Sequence, residues 1–322
     1  MPADFVTKPI HGGQPVSGRN IFASRRGVRA VLALTGVGAV LLAGCTTNTE
    51  GTGPPSGDDY VEVHVEKVDA IAAQLPQKNQ ASGKLVVGVN VPYAPNEFKN
   101  PSGEIIGFDV DLLNAVGDVL GVTPEYHEAD FARIIPAVRA GTYDMGMSSF
   151  TDTKEREESV DFVTYFSAGI QWAQQSGGSV DPNNACGLRV SVQTTTISDL
   201  EDVPSKSAAC VAAGQSPIEI LKFESQDAAA NAVALGRVDA MSADSPVTAF
   251  AVGRSDGTLE AAGPILDAAP YGWPIAKGSP LGPVLQQALQ HLIDDGTYQT
   301  IAENWGVEVG VIETSQINGA TS

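Results

Sequence analysis

The amino-acid sequence predicts an α/β protein of two lobes, each a mainly parallel sheet flanked by helices, with a hinge between them. Three observations carry that expectation. Short apolar runs alternate with amphipathic stretches of helical period, which implies parallel strands and right-handed crossovers. The alternation restarts after a polar stretch. A further strand and two helices then follow the second round, so the chain is expected to return to its first lobe. At 322 residues the chain is long enough for two cores.

The first round opens at Lys84. Leu85-Val86-Val87-Gly88-Val89 reads as a buried strand. Residues 109–120 place Val110, Leu113, Val116 and Leu120 on one face, an amphipathic helix stopped by Gly121. A strand over 123–127, a helix over 131–140 stopped by Gly141 and a strand over 143–148 follow. Upstream, Val68, Ile71, Ala72 and Leu75 recur at helical spacing before Pro76, which predicts one short helix over 66–75. Residues 174–184, rich in Gly, Ser, Gln and Asn, form the expected connection to the second round. That round reads as strands at 188–193, 219–223 and 238–242, with helices after the Thr-rich turn and at 227–235 and 246–252. A strand at 271–276 and helices at 281–293 and 298–305 close the chain.

The N-terminus is a processing segment. Arg25, Arg26 and Arg29 precede an apolar run over 30–43, the length of a signal-peptide core and short of the roughly 20 residues a spanning helix needs. It ends in Leu42-Ala43-Gly44-Cys45, which resembles a bacterial lipobox and implies cleavage before Cys45 and lipid on its sulfur. The Arg25-Arg26 pair fits a plain basic leader or a twin-arginine one. Residues 46–59, rich in Thr, Gly, Pro and Ser, read as a flexible tether. The expected organisation is a signal peptide at 1–44, lipidated cysteine and tether at 45–65, first lobe at 66–173, second lobe at 174–266, a return to the first lobe at 267–308 and a tail at 309–322.

Composition excludes some functions. The formal charge is −19, and removing residues 1–44 takes away a net +4, leaving about −23. With no basic stripe in the body, nucleic acid is not a partner. Four dispersed histidines give no metal spacing, and no catalytic triad order, phosphate loop or cofactor motif is present. Of the three cysteines, Cys45 is assigned to lipid. Cys186 and Cys210 remain, either as two buried thiols or, as an oxidising compartment favours, as a disulfide closing a loop of about two dozen residues.

Separated blocks carry a family resemblance: Tyr93-Ala94-Pro95, Gly107-Phe108-Asp109-Val110-Asp111-Leu112, Gly141-Thr142-Tyr143-Asp144, Thr151-Asp152-Thr153-Lys154-Glu155-Arg156, Gly236-Arg237-Val238-Asp239-Ala240, Asp244 and Asp295-Gly296-Thr297-Tyr298. Together they resemble the family 3 bacterial extracellular solute-binding proteins, the polar-amino-acid receptors of ABC transporters. The resemblance implies a type II periplasmic-binding-protein fold, an extracytoplasmic receptor that delivers an amino acid or close derivative to the transporter's membrane subunits, no cofactor, and a monomer.

It also implies a set of ligand contacts, each with a physical reason. An amino acid presents a carboxylate and an ammonium, and burying either unpaired costs several kcal/mol. Arg156 matches the guanidinium that grips the carboxylate through its planar fork. Thr151 matches a hydroxyl donor beside it, and Ser149 a main-chain contact to the ammonium. In Thr194-Thr195-Thr196 the family's glycine falls on Thr194, so Thr195 is assigned to the carboxylate with Thr196 next, at a helix N-terminus. Asp244, just past a strand end, matches the partner of the ammonium. Tyr93 and Phe131 match side-chain walls. Asn90 stands where relatives specific for basic amino acids carry an aspartate, and Glu97 and Asp130 are the nearby acids. Two other readings share the fold: a dehydratase acting on prephenate-like acids, and a sensor for a membrane signalling partner.

Overall fold

The computed structural model describes residue 61 and residues 63–321. The expected signal peptide, Cys45 and most of the tether lie outside the described residues. Among the described residues no helix is long and apolar enough to cross a membrane.

The chain enters through two short helices, α1 (Asp69–Ala72) and α2 (Gln77–Ser82). The single helix expected over 66–75 is thus cut to one turn, and Pro76 instead caps the start of α2. Strand β1 (Lys84–Val89) buries Leu85, Val87 and Val89. A small hairpin, β2 (Phe98–Lys99) and β3 (Ile105–Ile106), leads into α3 (Phe108–Leu120). The hydrophobic face of α3 is buried as its periodicity predicts, and Gly121 ends it in the left-handed conformation (φ 66°). Gly107 enters α3 at φ 141°, where a Cβ would lie 2.1 Å from the Asn96 carbonyl oxygen, so only glycine fits. Strands β4 (Thr123–Glu128) and β5 (Met145–Gly146) pair in parallel with β1 on either side, with α4 (Phe131–Arg139) between them in sequence. β5 is shorter than the strand expected over 143–148, and the chain turns soon after it at Ser149 (φ 52°).

After α5 (Lys154–Glu157) comes β6 (Val160–Gln175), a strand of 16 residues. The next units are β7 (Arg189–Gln193), a π-turn (Ser198–Asp202) running into α6 (Val203–Ala212), β8 (Glu219–Phe223), α7 (Gln226–Ala234), β9 (Ala240–Asp244) and α8 (Ser245–Gly253). Strand β10 (Leu259–Ala276) has 18 residues, and α9 (Leu281–Asp294) and α10 (Thr297–Trp305) follow.

The eight-stranded sheet has the order β4-β1-β5-β10-β6-β9-β7-β8. Its centre is the antiparallel pair β6–β10, which runs from Val160 opposite Ala276 to Gln175 opposite Leu259. One end of that pair adjoins β5, and the other adjoins β9, from Ile170 opposite Asp244 to Gln174 opposite Ala240. Each long strand therefore belongs to both lobes. The sequence places a connection at 174–184, but pairing with β9 already begins at Ile170. It also places a strand at 271–276, which is the last third of β10; register shifts between Ala262 and Ala269 hide the rest.

Separate apolar clusters fill the lobes. One gathers β1, α3, α9 and α10 around Leu85, Leu113 and Leu289; others pack Trp172, Val190 and Val203, or Ala232, Val233 and Met241. Trp172 donates to Asp202 Oδ2 at 2.8 Å inside the second lobe. Cys186 and Cys210, from the loop before β7 and from α6, lie 5.5 Å apart at Cα with their sulfurs joined. Residues 315–320 lie along β6, with Val163 opposite Ile317 and Ser315 and Ala320 buried.

Gly107→Ala is expected to lower stability by about 1–3 kcal/mol or more, from the positive φ and the backbone clash together. A urea melt checks this; an unchanged midpoint would contradict the close approach at Asn96.

Candidate functional site

The carboxyl ends of the strands of both lobes face one cleft, where open α/β sheets place ligand groups. The first lobe contributes Asn90 after β1, Tyr93 in the following loop, Phe131 at the start of α4, Ser148, Ser149 and Thr151 after β5, and Arg156 on α5. From the second lobe come Gln193 at the end of β7, Thr196 and Ile197 in the turn, and Asp244 at the end of β9. Eight of the nine residues predicted as ligand contacts line this pocket.

Arg156 is aimed from two directions. Its amide donates to Thr153 Oγ1 at 3.2 Å, which caps α5, and its Nη1 donates to the Thr151 carbonyl at 2.9 Å. Nη2 reaches across the cleft to the Thr195 carbonyl at 3.1 Å. The guanidinium carbon lies 5.8 Å from the ring centres of both Phe131 and Phe150, which stack on each other at 4.3 Å. Burial pulls the Arg156 pKa below its ordinary value, while Asp244 and neighbouring acids act the other way.

Asp244 accepts a 2.6 Å bond from the Tyr93 hydroxyl, a second link between lobes. Burial raises its pKa, opposed by the Tyr93 and Tyr271 hydroxyls and by Arg156. A third link joins two amides: Gln193 Nε2 donates to Asn90 Oδ1 at 2.9 Å, and Asn90 Nδ2 donates to the Ala129 carbonyl at 2.9 Å. Gln193 Oε1 is buried without a partner.

Thr195 is the predicted contact that the lining omits. It has φ 62°, the conformation that favours glycine. The Thr195 amide is taken by Asp199 Oδ2 at 2.9 Å, and Thr196 and Ile197 face the pocket instead. Gln193, Ser148 and Ile197 were not anticipated; the strand end before the Thr-rich turn was the available signal for Gln193. Asp130 lies outside the pocket and pairs with Arg133 at 3.0 Å.

Glu97 sits under the site. The Ser148 hydroxyl donates to Glu97 Oε1 at 2.7 Å, and Ser149 N and Oγ, each at 3.3 Å, and the Tyr165 hydroxyl at 2.6 Å donate to Asp109 Oδ2. Burial pushes Glu97 well above the carboxylate range, and the neighbouring Asp109 charge adds to it. Burial also raises Asp109, to about 6, against its hydrogen bonds. Both carboxyls are thus pushed toward the protonated form beneath Ser148 and Ser149. A larger apolar groove of about 640 Å³, lined by Pro92, Phe98, Ala230, Val247 and Phe250, lies between the lobes nearby and holds none of the predicted contacts.

This fold and cleft define a two-lobed solute-binding protein of the periplasmic type. Residues 85–308 match the bacterial extracellular solute-binding proteins, family 3, and the chain belongs to that family. The chain is 44% identical to the arginine-binding protein ArgT of Corynebacterium glutamicum over 90% of its own length and 96% of that protein. It is 30% identical to the L-arginine-binding protein of Pseudomonas aeruginosa, over 68% of this chain and 86% of that one. Among solved structures, an ancestral arginine-binding protein bound to arginine superposes with a TM-score of 0.64 at 32% identity, covering 69% of this chain and 98% of the other.

The raised carboxyls fix the sign of a pH dependence. Burial likewise raises Asp152, to about 7. A group whose pKa is higher folded than unfolded stabilises fully at low pH and loses that contribution as pH rises through the folded value. Asp161, Asp239 and Glu125 are shifted down and act only at lower pH. The urea midpoint is therefore expected to fall from about pH 5 to about pH 7.5, with Asp152→Asn removing part of the slope. A midpoint that rises across this range would contradict the raised carboxyls.

Proposed function

We propose that this protein captures L-arginine, or a closely related amino acid, by closing its two lobes and presents it to an ABC transporter on the outer side of the membrane. The observation that carries the reading is a guanidinium and a carboxylate aimed into one cleft from different lobes, Arg156 and Asp244. A zwitterion fits that pair, and neither charge is then buried alone. Arg156 holds the ligand carboxylate with Thr151 and Thr196 beside it. Asp244 and the Ser149 main chain take the ammonium. Tyr93 and Phe131 wall the side chain, and Asn90 and Gln193 turn amide groups toward its polar end. The arginine-binding relatives support the choice of ligand.

In this reading the lobes span 66–173 with 267–308, and 174–266, and they move about the β6–β10 pair. Only the closed form makes both sets of contacts, so ligand shifts the population toward it. Lipid on Cys45 holds the receptor at the membrane, the Cys186–Cys210 bridge braces the second lobe in the oxidising compartment, and the receptor works as a monomer.

Arg156→Ala is expected to weaken L-arginine binding at least 100-fold, about 3 kcal/mol or more, with the fold intact. Asp244→Asn should be nearly as harmful. Calorimetry on each variant checks this, and wild-type affinity in either one would move that end of the ligand elsewhere.

A further inference from the structure

We propose that residues 315–320 form a strap that positions the loop holding Arg156, so that ligand affinity depends on a segment outside the family-matched region. The inference rests on the reading of Arg156 as the carboxylate partner. The match to the family ends at residue 308.

Strand β6 has two edges. β10 occupies one along its whole length, and β9 occupies the other only from Ile170 to Gln174. The strap takes over that second edge in the first lobe. Thr164 N donates to the Gln316 carbonyl at 2.9 Å, and Asn318 N donates to the Phe162 carbonyl at 3.0 Å. Side chains reinforce the register: Gln316 N donates to Thr164 Oγ1 at 2.8 Å, and Phe162 N to Asn318 Oδ1 at 2.9 Å. Covering a strand edge in this way is a structural role.

The far end of the strap goes further. Gly319 N donates to Asp152 Oδ2 at 2.7 Å, and Ala320 N donates to Glu157 Oε1 at 3.2 Å. Asp152 is buried, and its neighbours in the chain are the two residues that hold Arg156. Thr151 receives Nη1 on its carbonyl, and Thr153 caps the Arg156 amide. Two consecutive strap amides thus meet the two carboxyls that flank the Arg156 turn. Asp152 and Glu157 already lie against each other, with Lys154 as the nearby cation; without the strap amides both carboxyls lose a donor and must find new partners, which would displace Thr151 and Thr153 together. Asp152 acts through Arg156 and is a positioning residue.

The test is calorimetry with L-arginine on the full chain, on a chain ending after Glu313, on Asp152→Ala and on the two changes combined. Each single change is expected to weaken binding about tenfold, the value of one hydrogen bond to a charged group. Because both act through the same loop, the combination should be no weaker than the worse single change. Asp152→Asn keeps an acceptor for the Gly319 amide and should stay within about twofold of the full chain. If the shortened chain does not melt cooperatively, Gly319→Pro takes its place by deleting one donor. A strap-deficient chain that binds within twofold, or effects that multiply in the combination, overturns the proposal and leaves only an edge cover. A full chain that binds no amino acid removes the functional reading and this inference with it.

Discussion

The rest of the structure depends on the antiparallel pairing of β6 with β10. Two long strands shared by both lobes keep the lobes in one sheet order while leaving the cleft between their outer ends. Everything chemical follows from that constraint. Strands on either side of the pair stop at the cleft, so Asn90, Ser149 and Arg156 arrive from one side and Gln193 and Asp244 from the other. Neither set can satisfy a zwitterion alone, which couples binding to the separation of the lobes.

The cleft is held by three polar links of different kinds: a tyrosine to a carboxylate, an amide to an amide, and a guanidinium to a carbonyl. All three involve groups assigned to the ligand or to its immediate neighbours. In the proposed reading, closure and capture use overlapping donors and acceptors, and a ligand that brings its own carboxylate, ammonium and side-chain donors substitutes for them. Below this layer, Glu97 and Asp109 fix Ser148 and Ser149 from inside the first lobe, while Asp152 and the strap fix the Arg156 turn from its outer edge. Burial raises the affinity of these carboxyls for a proton, which eases their use as scaffolding in a chain already far from neutral charge.

Much of this was legible in the sequence, for physical reasons. Helical period and Gly stops located α3 and α4, and eight of the residues that the ordered blocks propose as ligand contacts line one pocket. Three features were not legible. The Thr-Thr-Thr turn carries no residue that marks the positive φ at Thr195, and nothing local announces that Asp199 takes the Thr195 amide. Of the two long strands only 271–276 of β10 was expected, because bulges and Gly, Pro and Asp residues break its alternation, and β6 was not anticipated at all. Residues 309–322 lack a hydrophobic period and read as a tail, although residues 315–320 pair through backbone and small polar groups that periodicity does not register. Gln193 shows the same limit: its role comes from a partner in the other lobe, and nothing local announces it.

The most direct measurement is a thermal-shift screen of the unfolded and refolded protein, freed of carried solute, against the common amino acids and prephenate-like acids. L-Arginine at about 100 times its dissociation constant adds roughly 2.7 kcal/mol and should raise the melting point by about 5–10 °C, more than the acidic or apolar amino acids do. No shift with any amino acid, or a shift only with a cyclic acid, would contradict the account.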